Sequence, residues 1–409
     1  FITDYGEGGR IMSYTNEEVI QYVEEEDVKF IRLAFCDIYG RQKNISVLPT
    51  QLEKVFKYGK GIDASAIDGF SGAVHTDLFL HPDPSTIAVL PWRPEHGKVV
   101  RMFCDIKYPD GTPFEGDMRT LLKNAVAEAE KKGFYFNFGS ELEFYLFKRD
   151  DNGEPTAVPY DNAGYMDIAP DDKGENIRRE ICLTLERMGI YPESSHHEEG
   201  PGQNEIDFIH SDPLAAADNA VTFKTVVNTV TAVNGLCADF SPRPIADKPG
   251  NGFHINISLN SDNNEYMPRF ISGIMDKIKD MTLFLNPDRR SYERFGTNKA
   301  PKYITWSREN RSQLIRIPAY ASEDSRRAEL RSPDPLSNPY LAFALIIYAC
   351  LESAESDLKP VEVVDVNLTD MSGYDALPLS FDEAAKYALE SEFIKRYVPQ
   401  SVVNNYANK

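Results

Sequence analysis

The sequence predicts a mixed helix and strand protein built from two units. Three observations carry that expectation: amphipathic helical stretches alternate with short apolar strands, 409 residues exceed what one core usually organises, and a proline-rich passage, HPDPSTIAVLPWRPEHG at 81–97, divides the chain. The first unit, 13–100, reads as a helix TNEEVIQYVEEE, a strand KFIRLAFCDI, a turn at Tyr39 and Gly40, and a second strand NISVLP. The proline-rich passage is expected to be an irregular connection, with the boundary between Gly97 and Pro109 and the larger unit over 108–409. That unit opens on DMRTLLKNAVAEAEKKG, where Asp117 is an N-cap, Leu121, Leu122, Ala125, Val126 and Ala129 recur at helical spacing, and Gly133 stops the helix. Further helices are expected at 174–189, 213–235, 268–285 and 339–358.

Composition narrows the partners. Sixty-four acidic against 44 basic residues give a formal net charge of −20, which argues against nucleic acid or an anionic membrane surface. The most apolar run, LAFALIIYACL at 341–351, is too short to span a bilayer and predicts a buried helix. Cys36, Cys104, Cys182, Cys237 and Cys350 are scattered and show no CxxC spacing, so neither a disulfide framework nor a zinc site is expected, and a reducing cytoplasm fits. No charged-then-apolar leader is seen, so no secretory signal is expected, and Met12 is a candidate natural start.

Four segments carry the chemistry. In HHEEGPGQNEIDF, Glu198 and Glu205 flank Gly200, Pro201 and Gly202, a turn that lets two carboxylates fold back toward one point. In FYFNFGSELEFYLF, Phe134, Phe136, Phe138, Leu142, Phe144 and Leu146 share one strand face, so Glu141 and Glu143 emerge together from the other. In GFHINISL the apolar Phe253, Ile255, Ile257 and Leu259 leave His254, Asn256 and Ser258 on the opposite face. In AELRSPD, Glu329 and Arg331 flank Leu330. Taken singly, each has an ordinary alternative as a solvated face, a structural histidine or a surface ion pair. Together they supply five glutamates and one histidine, a donor set suited to magnesium or manganese, and two divalent ions would nearly neutralise it.

Arginines form a second group: Arg294, Arg311, Arg316, Arg327 and Arg331. Guanidinium forks match carboxylate and phosphate oxygens, so arginines beside a metal cluster point to phosphoryl transfer onto an acidic substrate. Arg316 lies between Ile315 and Ile317, where an unpaired charge would be costly, which argues against a plain surface role. No GxxxxGK[ST] or GxGxxG loop follows a strand, which disfavours a P-loop or dinucleotide fold.

With these residues in view, the chain resembles bacterial and archaeal type I glutamine synthetase. The likeness runs from VKFIRLAFCDIYGR to NYANK and includes the DGxS, ExE, HHExxPGQxE, GxGxH, NRSxxxRIP and ELRSPDPxxNPYLA elements in order. The resemblance implies an α+β fold, with a small N-terminal β-grasp domain followed by a larger catalytic domain whose antiparallel sheet is flanked by helices. It implies Glu143, Glu198 and Glu205 as ligands of one Mg2+ or Mn2+ ion and Glu141, His254 and Glu329 as ligands of the other. It further implies Arg294, Arg331 and Gly250 at the glutamate, and Ser258, Arg316 and Arg327 at ATP. Arg311 is expected to serve the transferring phosphate, and Asp68 to help deprotonate ammonium from a neighbouring subunit. The resemblance also implies assembly as stacked hexameric rings, a dodecamer.

The chain departs from the family pattern at several points. Lys299 stands where the flap carries a glutamate before an Ala-Pro pair, in a flap one residue shorter, and a cation there would repel ammonium. Pro249 and Arg290 replace asparagines near the glutamate site, and Thr369 replaces a tyrosine that some members adenylylate. The chain stops at Lys409 where typical members continue through a helical segment, so contacts between rings are expected to be weakened or rebuilt. The leading expectation is ATP-dependent ligation of ammonia to glutamate through a γ-glutamyl phosphate. A γ-glutamyl ligase accepting a primary amine or polyamine, and a non-catalytic structural or regulatory relative, stand as alternatives.

Overall fold

The computed structural model describes residues 14–70, 76–93, 96–297, 299–320, 322, 326–366 and 373–409. Helix α1 (Asn16–Glu25) begins where expected, because Thr15 and Glu18 close a reciprocal capping box. Six strands then form the first sheet: β1 (Phe30–Cys36), β2 (Gln42–Val47), β3 (Lys60–Asp63), β4 (Asp77–Pro82), β5 (Ala88–Val89) and β6 (Val99–Lys107). Their order is β2-β1-β6-β4-β3 with β5 on β6, and helix α2 (Leu52–Tyr58) connects β2 to β3. β1 and β6 run parallel while the other pairs are antiparallel.

The proline-rich passage behaves differently from the expected connection. His81 and Pro82 end β4, Pro84–Thr86 makes a single helical turn, and β5 pairs with β6, so the passage belongs to the first sheet. Proline is tolerated there because Pro82 is the last residue of β4 and Pro84 opens the helical turn, positions where a missing N–H costs little.

Helix α3 (Met118–Lys131) starts at Asp117, whose carboxylate accepts the Arg119 N–H. The second sheet has nine strands: β7 (Phe136–Arg149), β8 (Pro155–Pro159), β9 (Pro192–His197), β10 (Gln203–Phe208), β11 (Leu236–Asp239), β12 (Phe253–Leu259), β13 (Trp306–Arg308), β14 (Ile315–Ile317) and β15 (Ala328–Leu330). The main path is β13-β14-β15-β12-β7-β10-β9, antiparallel throughout except for the parallel β13 and β14 pair. Helices α4 (Glu175–Glu186), α5 (Pro213–Val233), α6 (Met267–Leu285) and α7 (Pro339–Glu355) follow the segments read from the sequence. Three shorter ones close the chain: α8 (Phe381–Glu390), α9 (Glu392–Tyr397) and α10 (Gln400–Ala407).

Alternation along β7 and β12 sends one face into the core. Phe138 stacks on Phe343 of α7 at 4.4 Å, and Phe144 meets Phe223 of α5 edge-on at 5.9 Å. α7 is buried from Pro339 through Leu351, the interior helix its composition implies. Among the described residues, no helix is long and apolar enough to cross a membrane.

Polar contacts couple the two sheets. Arg119 on α3 is buried and forks onto Asp218 of α5 at 3.0 and 2.9 Å, while reaching Asp105 of β6 at 2.9 Å and Asp83 at 3.0 Å. A second tie forms at the turn after β1, where the Ile38 carbonyl accepts from Asn338 Nδ2 at 2.8 Å and from the Tyr406 hydroxyl at 2.9 Å. Gly40, with φ +77°, makes this approach possible, since a Cβ would come within 2.9 Å of the Asn338 Cα.

Candidate active site

Cross-strand register assembles the polar face. Directly opposed residues on antiparallel strands share a face with Cβ atoms roughly 4.5–5.5 Å apart, so each row of partners becomes a row of adjacent side chains. One row runs His254 (β12), Glu141 (β7), Asp207 (β10) and Ser194 (β9). Glu143 (β7), Glu205 (β10) and His196 (β9) make the next. A third joins Arg316 (β14), Glu329 (β15), Asn256 (β12) and Gly139 (β7). Gly139 leaves room for His210, whose ring would lie 2.4 Å from a Cβ at that position. Glu198 arrives from the turn between β9 and β10, where the Gly200 N–H donates to Gln203 Oε1 at 3.0 Å and Gly202 takes φ +69°.

These rows floor a cavity of about 350 Å3. Glu141, Glu143, Glu198, Glu205, His254, Gly250, Arg294, Arg311, Arg316, Arg327 and Arg331 all line it. Glu329 lies just beneath with no exposed surface, 3.7 Å from His254 Nδ1 and paired to both Arg316 and Arg331. Ser258 is not part of the lining; its hydroxyl meets His210 Nδ1 at 2.8 Å, and His210 does face the cavity. Asp68 does not join the cluster and pairs with Arg41 at 3.2 Å on an exposed part of the first domain. Thr369 lies outside the described residues.

His254 is the centre of the cluster. Its Nδ1 is 3.2 Å from Glu141 and its Nε2 is 3.9 Å from Glu143. Gly252 keeps the gap open, because a Cβ there would sit 2.5 Å from His254 Nε2 and 3.2 Å from Glu143 Oε1. Glu143 accepts from Gln203 Nε2 at 3.0 Å and from the Gly252 N–H at 2.9 Å, and Glu141 accepts from Asn256 Nδ2 at 2.8 Å. His196 reaches Glu198 at 2.9 Å and Glu205 at 3.7 Å. Gln203, His196 and Asn256 thus orient the carboxylates, and all three lie in the segments that carry the expected ligands without being expected site residues themselves. The alternation that put Asn256 beside His254 was one available signal, and the HHExxPGQxE element, which includes His196 and Gln203, was the other.

Crowding of like charge is visible in the acidities. Burial, then the charges of Asp207, Glu143, Glu141 and Glu198, push the Glu205 carboxyl well above its ordinary range. Burial also raises Glu143, with His254 opposing and Glu198 adding to the rise. At Glu141 burial works the same way, but the hydrogen bond and charge of His254 with the Asn256 amide outweigh it and bring the carboxyl down to about 2. One ligand atom each from Glu141, Glu205 and His254 falls within a 4.8 Å span. Hard carboxylate oxygens and one imidazole, buried together with more negative charge than their neighbours offset, fit divalent Mg2+ or Mn2+.

At the rim, Lys299 Nζ pairs with Glu199 Oε1 at 2.5 Å and lies 5.1 Å from the Tyr165 ring centroid. Pro249 also lines the cavity, and its carbonyl accepts the Tyr145 hydroxyl at 2.7 Å. Arg290 turns instead to Asp288 at 3.1 Å.

Residues 27–109 match the glutamine synthetase β-grasp domain, and residues 115–409 match the glutamine synthetase catalytic domain. The chain belongs to the glutamine synthetase family. Relatives in that family include the glutamine synthetase of Clostridium saccharobutylicum, 44% identical over 96% of this chain and 93% of that protein. The glutamine synthetase of Methanosarcina mazei is 43% identical over 96% of this chain and 92% of its own length. Among solved structures, a GmaS/ADP complex superposes with a TM-score of 0.85 at 27% identity, covering 95% of this chain and 94% of that one. Plasmodium falciparum glutamine synthetase, with a TM-score of 0.86 at 20% identity and coverage of 97% and 95%, shares the fold. The α+β fold with a β-grasp domain, expected from the glutamine synthetase likeness, is the fold observed.

Proposed function

We propose that this family member is an ATP-dependent ligase that joins ammonia to the γ-carboxylate of L-glutamate through γ-glutamyl phosphate. The observation that carries the reading is the convergence of Glu141, Glu143, Glu198, Glu205 and His254 on one cavity, with Glu329 directly beneath and five arginines beside them. Glu143, Glu198 and Glu205 would hold one Mg2+ or Mn2+ ion, and Glu141, His254 and Glu329 the second. When bound, such ions offset the carboxylate charge and polarise phosphoryl oxygens. A non-catalytic relative is disfavoured because all six of these groups are retained.

The chain's own groups divide the remaining work. Arg294 is buried with its Nη1 donating to the Ser332 carbonyl at 3.2 Å, and its Nε has no partner among the described residues, which suits it to the substrate α-carboxylate with Arg331. Gly250 lets that arginine lie under the loop, since a Cβ would approach Arg294 Cγ to 2.7 Å. Arg311, Arg316 and Arg327 are assigned to the phosphates, and Ser258 to the nucleotide, each stabilising charge that builds on the transferring group. Asp68, exposed in the first domain, is assigned to deprotonating ammonium in the cavity of a neighbouring subunit. Active sites shared between subunits, in hexameric rings stacked as a dodecamer in the cytoplasm, complete the proposal.

Lys299 favours a second reading, in which the acceptor is a primary amine or polyamine. Its pairing with Glu199 spends part of the cation's field at the rim, so ammonium remains the acceptor proposed first. Purified enzyme given ATP and glutamate should release phosphate with ammonium; release only with members of an amine panel would transfer the assignment to the second reading.

Metal binding has its own readout. With Mg2+ or Mn2+ at 100 times its dissociation constant, stability should rise by about 2.7 kcal/mol for each occupied site, seen as a higher melting temperature that EDTA reverses. Superimposable melting curves with and without EDTA would remove the cations from the cluster.

A further inference from the structure

Behind the Glu198 and Glu205 turn lies a group of buried polar side chains that the proposed reaction does not use. His197 has no exposed surface, and Asp161, Asp172, Arg178 and Asn204 are all buried. His197 Nδ1 meets the Glu198 carbonyl at 2.7 Å, and its Nε2 meets Asp161 Oδ1 at 2.9 Å. Asp161 also accepts the Gly202 N–H at 2.9 Å and the Lys173 N–H at 3.0 Å. Arg178 forks onto Asp172 at 3.2 and 2.6 Å and donates to Asn204 Oδ1 at 2.6 Å, while Asn204 Nδ2 donates to the Gly202 carbonyl at 2.9 Å.

Asp161, Asp172 and His197 lie close enough together to suggest a metal site. Their partners rule against it. Both Asp172 oxygens face Arg178, both Asp161 oxygens accept backbone N–H groups, and the two His197 nitrogens are engaged. What these contacts touch is more telling: three of them end on the backbone of Glu198 and Gly202, inside the turn that carries two expected ligands. Burying this many polar groups is unfavourable unless they are paired; here all but Arg178 Nε have a partner among the described residues, and such pairing fixes one geometry.

We propose that Asp161 and His197 are positioning residues that lock the Glu198 carbonyl and the Gly202 amide, and so aim the Glu198 and Glu205 carboxylates into the cavity. The role rests on the ligand assignment made above. It predicts that the two ends of the imidazole are unequal in effect. Asparagine at 197 can reproduce the Nδ1 donor to the Glu198 carbonyl, whereas glutamine reproduces only the Nε2 end toward Asp161.

Mn2+ alone, titrated into the full-length chain and followed by electron paramagnetic resonance and calorimetry, tests this without turnover. The unaltered chain should take up two ions. His197→Gln should weaken one of them by about 10–100-fold and leave the other unchanged, while His197→Asn stays close to the parent. Arg178→Lys loosens the same buried group without touching the Glu198 carbonyl and should also stay close to the parent in Mn2+ affinity. Equal effects of His197→Gln and His197→Asn, or matching losses in His197→Gln and Arg178→Lys, would reduce the group to scaffolding and overturn the role. Absence of Mn2+ uptake by the unaltered chain would instead overturn the ligand assignment itself, and the role with it.

Discussion

Glu205→Gln should cut ligase turnover by at least about 10²-fold while raising the melting temperature of the metal-free protein. The two effects share one cause. Glu205 is 7% exposed and faces Glu143 across the strand pair, with Asp207, Glu141 and Glu198 close enough to raise its carboxyl. The folded state therefore holds that proton more tightly than the unfolded chain does. Stability from this group is complete below the unfolded carboxyl's ordinary value of 4.5 and is lost as pH rises through the raised folded value. Glutamine escapes that loss, so the gap between variant and parent in EDTA should widen from pH 5 to pH 8. Added Mg2+ or Mn2+ should then stabilise the parent more than the variant. Full phosphate release by the variant, or a variant that melts lower than the parent at pH 8 in EDTA, would contradict the crowded-carboxylate account.

Arg119→Met should lower the stability of the fold by about 3–5 kcal/mol, because removing one partner of a buried ion pair leaves its counter-charges stranded. Asp218 loses two hydrogen bonds and keeps the Tyr340 hydroxyl at 2.6 Å, while Asp83 and Asp105 still have Lys123 nearby. Most of the cost therefore sits at Asp218. Adding Asp218→Asn to the variant should recover part of the loss, and the urea midpoints of parent, single and double variants measure both statements. A shift below 1 kcal/mol in the single variant would show that water replaces the guanidinium at little cost.

What could be read from the sequence depended on how local its cause is. The alternation in β7 placed Glu141 and Glu143 on one face because the strand period of two survives in any context. The cap at Asp117 was legible because its carboxylate answers the N–H of a residue two positions on. The hairpin at Gly200 and Gly202 was legible because its turn residues are adjacent. By contrast, three-residue strands such as β14 and β15 carry too little pattern to reveal that Arg316 will face Glu329. Gln203 gained its role only when β10 lay against β7 and brought its amide to Glu143. The proline-rich passage differs from the expected connection because its prolines fall at a strand end and at the start of a helical turn as readily as in a linker, and β6, the partner of β5, lies beyond it in sequence. Asp68, expected at a site from the family likeness, pairs with Arg41 in the first domain and does not line the cavity.

The Ile38 carbonyl binds Tyr406, 368 positions further along the chain. Contacts of such long sequence separation close late, since the intervening chain must be ordered before they contribute. During synthesis on the ribosome, the turn after β1 emerges 300 residues before Asn338 and 368 before Tyr406, the two side chains that answer its carbonyl. A product lacking α10 would lose one of those two donors and should be cut by proteases at that turn more readily than a chain that carries the helix.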